Sequence, residues 1–119
     1  MPNIEVLQNT LQWMHGNKQL SKTFDCPIRK ILELNDHSGM VVVLEPPSHG
    51  ENNDAFIIDS TGEIRTRICI SREIDTCRDI YNVYYEGTAL LFVVSTNRIY
   101  DTACLFDEHG DFIRSHLTK

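Results

Sequence analysis

The sequence predicts an all-β protein built from antiparallel four-stranded units. The stretch "AFIIDSTGEIRTRI" at residues 55–68 returns 48 positions later as "ACLFDEHGDFIRSH" at residues 103–116. The apolar runs "MVVVL" and "ALLFVV" are short and rich in β-branched or aromatic residues, which is typical of strands buried on both faces. With 119 residues, 41% of them apolar, the chain fits one globular domain, residues 1–119.

The repeated stretch has the pattern of a β-hairpin. In each copy an apolar run ("FIID", "CLFD") meets a four-residue turn ("DSTG", "DEHG"), and an alternating run follows. The aspartates can bond backbone amides two residues on, and the glycines can take the positive φ that closes the turn. The expected structural turn residues are Asp59, Gly62, Asp107 and Gly110.

Strand alternation predicts which side chains of the fourth strand share a face. In "EIRTRI" the expected inner set is Ile64, Thr66 and Ile68, and the expected outer set is Arg65 and Arg67. One dry face and one wet face suit an outer strand.

Each repeated hairpin follows another candidate hairpin. The first is "KILEL", "NDHSG" and "MVVVLE", and the second is "IYNVYY", "EGT" and "ALLFVV", with turns through Gly39 and Gly87. Polar loops at 45–54 and 95–101 join the second and third strands in both copies. We therefore expect four strands in each of two units, at residues 25–70 and 71–119.

Residues 1–24 allow two interpretations. Ile4, Leu7, Leu11 and Met14 lie at helical spacing between a possible Asn3 cap and Gly16. The stretch "WMHGNKQLSKTF" also aligns with the repeated hairpin, with His15 to Lys18 as its turn. We favour the hairpin, because a partial third unit would cover the flank of the first.

Charge and cysteine usage narrow the classes of function. The 17 acidic and 11 basic residues give a net charge of -6, which repels phosphate backbones and favours cationic partners, so direct nucleic-acid binding is not expected. No apolar run approaches the about 20 residues that span a bilayer, and a cytoplasmic location with no membrane contact is expected. The four cysteines form no CxxC pair, which indicates reduced thiols and no zinc site.

A four-stranded unit ending in an Asp-x-x-Gly hairpin resembles a β-propeller blade, over roughly residues 29–70 and 80–118. Two or three blades cannot close a ring, so the expected product is an open half β-propeller with exposed sheet edges. Small acidic propeller fragments occur among the immunity proteins of contact-dependent growth inhibition (CDI) systems, and this chain is similar to them in size, charge and repeat. The resemblance implies a non-enzymatic protein without a cofactor that binds and neutralises one toxin domain. If that toxin is a nuclease (a ribonuclease is favoured), its active site is cationic.

The candidate toxin-binding residues lie on one rim of the blade-like units. Loops that join the second and third strands, or one unit to the next, share this rim, and they are long enough to adapt to a partner. The candidates are Glu45, Glu51, Asp54, Asp75, Asp79, Tyr100 and Asp101, with Tyr100 as an aromatic anchor. The hairpin turns share the opposite rim. A solvated acidic surface without a partner is the alternative interpretation of these carboxylates.

Enzymatic motifs do not emerge from the sequence. No GxSxG, HExxH or GxxxxGK pattern is present, and "SHGENND" lacks EF-hand spacing, so no catalytic or metal site is expected. Asp36 next to His37 and Glu108 next to His109 leave a His-carboxylate pair open. Two further functions remain open, a ligand-binding module and a subunit that assembles with copies of itself through its sheet edges.

Overall fold

A computed structural model describes residues 1–48, 52–68, 70, 79–96 and 101–117. Over these residues the chain forms three antiparallel sheets in sequence order. Sheet A contains β1 (Glu5–Leu7), β2 (Thr10–His15) and β3 (Lys18–Thr23). Sheet B contains β4 (Ile28–Glu33), β5 (Gly39–Leu44), β6 (Ala55–Asp59) and β7 (Ile64–Ile68). Sheet C contains β8 (Asp79–Glu86), β9 (Ala89–Ser95), β10 (Thr102–Phe106) and β11 (Phe112–Leu117).

The all-β prediction is confirmed, including two four-stranded antiparallel sheets, and the described sheets are open rather than closed into a barrel. The helical interpretation of residues 1–24 is wrong, because β2 and β3 form a hairpin in which His15 pairs with Lys18. Strand alternation buries Leu11 and Trp13, whereas Leu7 of the helical set is 56% exposed. The tight turn uses Gly16 at φ 61°.

Sheet B lies in the middle of the hydrophobic core. All six residues of β5 are buried. Val41 and Val43 pack into a cluster with Phe92 and other side chains of sheet C, and Met40 and Val42 pack into a second cluster with residues of sheet A. The strand is apolar throughout because it has no solvent-facing side, as the sequence predicted.

A β-bulge overturns the expected face of Ile64. The register between β6 and β7 pairs Ile57 with Thr66 and Ile58 with Ile64, which leaves Arg65 as the extra residue. Ile64 therefore shares a face with Ile58 rather than with Thr66, and it is 50% exposed. Arg67, paired with Phe56, lies on that same face. Simple alternation fails here because the bulge shifts the phase by one residue.

The two Asp-x-x-Gly turns have the same hydrogen bonds. Asp59 Oδ1 accepts from the amides of Thr61 and Glu63 at 2.9 and 3.1 Å. Asp107 Oδ1 accepts from the amides of His109 and Asp111, both at 2.9 Å. Gly62 and Gly110 follow with φ 93° and 92°. The Thr61 hydroxyl, 2.6 Å from Asp59 Oδ1, holds the pKa of Asp59 below its ordinary value.

Each of these glycines also lies against the preceding sheet. A Cβ built on Gly62 would be 3.1 Å from the indole of Trp13 in sheet A, and one on Gly110 would be 2.4 Å from Thr66 Cγ2 in sheet B. Trp13 Nε1 donates to the Ser60 carbonyl of the same turn at 2.8 Å. The repeated turn therefore packs each sheet against the preceding one.

The strands place the connecting segments on two rims. The long-loop rim consists of residues 45–48, 52–54, 79, 95–96 and 101, where β5 and β9 end and β6, β8 and β10 begin. The turn rim consists of residues 34–38, 60–63, 87–88 and 107–111. Tyr85 links sheets B and C at the turn rim, since its hydroxyl donates to Glu108 at 2.6 Å and accepts from the Asn35 amide at 2.9 Å.

Candidate functional site

Four of the predicted toxin-binding residues lie together on the long-loop rim. Glu45 follows β5, Asp54 precedes β6, Asp79 begins β8 and Asp101 precedes β10. Glu51, Asp75 and Tyr100 lie outside the described residues. The meander order of both sheets brings these strand ends to one edge, as the sequence-based argument expected.

Asn53 joins the part of the long-loop rim that belongs to sheet B to the part that belongs to sheet C. Its Nδ2 donates to the carbonyls of Leu44 and Ile80 at 2.7 and 2.6 Å, and its Oδ1 accepts from the Ile80 amide at 2.7 Å. The residue is 8% exposed, so these bonds satisfy backbone groups that water cannot reach. Asn53 could not be recognised as a structural residue from the sequence, because a buried asparagine and a solvated one look alike within the polar stretch "ENND".

Two of the predicted acidic residues bind arginines of the same chain. Arg29 Nη1 donates to Asp79 Oδ2 at 2.8 Å and to the Ile80 carbonyl at 3.2 Å. Arg67 Nε donates to Asp54 Oδ1 at 3.0 Å, and its Nη2 contacts the same oxygen. Both ion pairs neutralise charge that a partner would otherwise meet, and the Asp79 pair also fixes the start of β8. The sequence offered no signal for either pairing, because the partners are 50 and 13 positions apart.

Asp101 accepts a hydrogen bond from the hydroxyl of Tyr81. This bond, together with partial burial and the nearby negative charge, raises the pKa of Tyr81 to about 12. Tyr81 is 41% exposed, so an aromatic ring and a carboxylate lie side by side at the surface. The aromatic anchor expected from the sequence was Tyr100, which lies outside the described residues, and Tyr81 was not among the predicted residues.

A groove opens next to Asp54, between sheets A and B. Its apolar part consists of Phe24, Phe56 and Ile64, and its charged part includes Lys22, Asp25 and Asp54. The rings of Phe24 and Phe56 stack with their centroids 6.0 Å apart. The bulge at Arg65 turns Ile64 toward this side. The groove therefore extends the acidic rim with an apolar surface.

Four carboxylates on or beside the turn rim stabilise the fold. Asp36 accepts from the Ser38 amide at 2.9 Å, and hydrogen bonds from Ser38 hold the pKa of Asp36 below its ordinary value. Asp59 and Asp107 bond their own turns, and Glu108 accepts from Tyr85. Of the predicted acidic candidates on the other rim, Glu45 is exposed and forms no ion pair with another described residue.

Among the described histidines, His37 contacts a carboxylate. His37 Nδ1 lies 3.0 Å from Glu33 Oε2, but the His37 side chain is 76% exposed at a turn. Neither sequence-adjacent pair, Asp36 with His37 or Glu108 with His109, forms an ion pair in the described part of the chain. Within the described ranges no cluster of three or more His, Cys, Asp or Glu side chains could hold a metal ion, and no helix there is long and apolar enough to cross a membrane.

Comparisons with known proteins identify a structural relative. No protein-family model and no curated protein matches the chain. Among solved structures, a chain of "Structure of Tne2 in complex with Tni2" superposes with a TM-score of 0.74 at 11% sequence identity. The match covers 92% of this chain and 77% of the other. The two chains share a fold. The matched region includes nearly all of the three sheets, so the shared architecture is the whole stack rather than one hairpin.

Proposed function

We propose that this chain is an immunity protein, which binds one toxin domain and neutralises it without catalysis. The observation that carries the proposal is the structural match, because the matched chain belongs to a complex of two proteins, Tne2 and Tni2, and an immunity protein acts by forming such a complex with its toxin. The fold consists of open sheets, and its long-loop rim carries acidic side chains on loops. Such loops are common sites of protein binding, which is consistent with inhibition by binding. The protein would act in the cytoplasm of the cell that makes it, where an incoming toxin must be intercepted.

The net charge supports a cationic partner. A chain with a net charge of -6 attracts a basic toxin over long range and accelerates the encounter. Nuclease active sites bind phosphates through positive charge, so a nuclease, with a ribonuclease favoured, fits this proposal. Delivery by a CDI system is the finer hypothesis that the resemblance in size, charge and repeat supports.

Within the long-loop rim, we assign different roles to the acidic candidates. Glu45 is exposed and Asp101 orients an exposed tyrosine, so both are placed to meet a partner. Asp79 is bonded to Arg29 and only 31% exposed, and its main role is to position β8. Glu51, Asp75 and Tyr100 remain candidates on sequence grounds.

The direct test uses the toxin domain encoded beside this protein's gene. The purified chain is titrated into that domain, and both complex formation and the activity of the domain are measured. The proposal expects a stoichiometric complex and loss of activity. Absence of binding, or binding with full activity, would contradict it.

Self-assembly is a second candidate, supported by the edge of sheet C. Strand β11 ends the order of that sheet, and five of its six residues are exposed, with Ile113 at 51% and Leu117 at 48%. A strand at the edge of a sheet can pair through its outer side with another copy. A monomer in sizing chromatography at high micromolar concentration would count against this candidate.

A further inference from the structure

Two tyrosines are exposed in a way that the other described aromatic residues are not. Tyr81 and Tyr84 are 41% and 45% exposed. Trp13, Phe92 and Phe106 are buried, at 3% exposure or less, and the remaining described aromatic rings are buried or partly buried. Exposed tyrosines on a rigid strand are the residue type that most often dominates protein interfaces, because a large ring is immobilised at low entropic cost.

A β-bulge brings the two rings onto one face. The register between β8 and β9 pairs Ile80 with Val94 and Asn82 with Val93, so Tyr81 is the extra residue. Ile80 and Val83 point into the core between sheets B and C. Tyr84 pairs with Leu91 on the opposite face, and the bulge turns Tyr81 toward that face as well. Tyr84 is near enough to contribute to the raised pKa of Tyr81.

The position of Tyr81 is fixed before any partner arrives. The backbone of Ile80, next to Tyr81, is held by Asn53 and Arg29. The Tyr81 hydroxyl is held by Asp101. Binding a partner would therefore cost little conformational entropy for ordering the Tyr81 side chain.

The side chains of Tyr81, Tyr84 and Asp101, here called the aromatic–acidic cluster, favour a cationic ligand group. Aromatic faces attract a cation within about 6 Å of the ring centroid, and a carboxylate beside them accepts charge-assisted hydrogen bonds from the same cation. With its pKa raised to about 12, Tyr81 keeps its proton at neutral pH and donates it in the hydrogen bond to Asp101. The net charge of -6 draws a basic surface toward this site.

We propose that Tyr81, Tyr84 and Asp101 form the contact that receives an arginine or lysine side chain of the toxin domain. This inference rests on the proposed immunity function and names the part of the surface that dominates binding. The contact combines an acidic residue of the long-loop rim with two aromatic residues on the outer face of sheet C.

The test compares dissociation constants for the neighbouring toxin domain. Tyr84→Ala and Asp101→Asn should each weaken binding at least tenfold. Tyr81→Phe, which keeps the ring and loses the hydroxyl, should weaken binding by a smaller factor. The matched control is Ile113→Ala, which truncates a side chain that is 51% exposed on β11, and it should change the constant less than twofold. Trp13 fluorescence and thermal unfolding report whether each variant is folded.

The outcomes separate this inference from the function on which it rests. If the wild-type chain binds and inhibits the toxin while folded Tyr84→Ala and Asp101→Asn match the control, the cluster is wrong and the immunity role stands. If Tyr84→Ala does not fold, Tyr84→Arg takes its place, because an added cation at the cluster should oppose a cationic partner even more strongly. If the wild-type chain does not bind, both proposals are overturned.

Discussion

Gly110 carries a steric requirement that the sequence did not reveal. Its role in the turn could be predicted, because Asp-x-x-Gly between an apolar run and an alternating run indicates a positive φ at the glycine. The contact of 2.4 Å between a built Cβ and Thr66 Cγ2 could not, since it depends on how sheet C docks on sheet B. The same distinction applies to Gly62 and Trp13.

Gly110→Ala should therefore cost more stability than Gly87→Ala. Both glycines have positive φ, which costs a residue with a Cβ about 1–2 kcal/mol. Only Gly110 adds a clash, worth a further ~1–3 kcal/mol, because nothing lies within 4 Å of a Cβ on Gly87. Urea unfolding measures the difference. Thr66→Ala in the Gly110→Ala background should recover part of the loss, and equal costs at both glycines would contradict the docking role.

Tyr81 and Tyr85 make the free energy of unfolding depend on pH in the alkaline range. Burial and the hydrogen bond to Glu108 raise the pKa of Tyr85 to about 12, and the bond to Asp101 does the same for Tyr81. Both contributions are complete below pH 10, where the phenols of the unfolded chain are still protonated. They are lost as the pH rises from 10 to 12.

We expect the free energy of unfolding to fall between pH 10 and pH 12, and less steeply in Tyr81→Phe and Tyr85→Phe. Absorbance titration of the four tyrosines should show two phenols that ionise near pH 12 in the native protein. Four phenols that ionise together near pH 10 would refute the assignment.

Strand order and buried strands were predictable from local pattern, whereas bulges and buried polar contacts were not. The runs that became β5 and β9 are continuously apolar, and that property alone indicates burial on both faces. The phase shift at Ile64 comes from pairing with β6, and the burial of Asn53 comes from contact with sheet C. Ile80 is 27 positions from Asn53, so local pattern does not show that contact. The bulge arises in a short hairpin, but it is a property of backbone register that residue type does not show.

Substitution of Asn53 measures how much its hydrogen bonds between sheets B and C contribute to the free energy of unfolding. Asn53→Ala would leave the Leu44 carbonyl and both backbone groups of Ile80 without this partner, at a cost of about 2–4 kcal/mol. Asn53→Asp should be at least as damaging, because a carboxylate would face two carbonyl oxygens. Chemical unfolding measures both. A control variant, Asn17→Ala, changes an exposed residue of the β2–β3 turn and should alter stability by less than 0.5 kcal/mol.

Basic and acidic side chains are distributed unevenly over the described part of the molecule. The last strand of each sheet carries two basic or histidine side chains and no acidic one: Lys18 and Lys22 in β3, Arg65 and Arg67 in β7, Arg114 and His116 in β11. Charged side chains on edge strands oppose unwanted strand pairing. The acidic residues concentrate on the rims and loops. The last strand of each sheet is therefore basic, whereas the ends of the strands are acidic.

This layout predicts that charge reversal on the two rims has unequal effects. Glu45→Lys with Glu51→Lys should lower the association rate with a basic toxin about tenfold at low salt, and the loss should shrink as salt is added. Glu63→Lys with Glu86→Lys makes the same change in net charge on or beside the turn rim, at exposed positions, and should lower the rate by less than threefold. Stopped-flow kinetics distinguish the pairs, and equal losses would argue against the long-loop rim.

The most direct test of the central claim is the dissociation constant of the wild-type chain for the toxin domain encoded beside it. Isothermal titration with both proteins folded should give one site per chain and a constant in the nanomolar range or below. No heat of binding and no complex at micromolar concentrations would contradict the claim that this stack of open sheets is a toxin-neutralising protein.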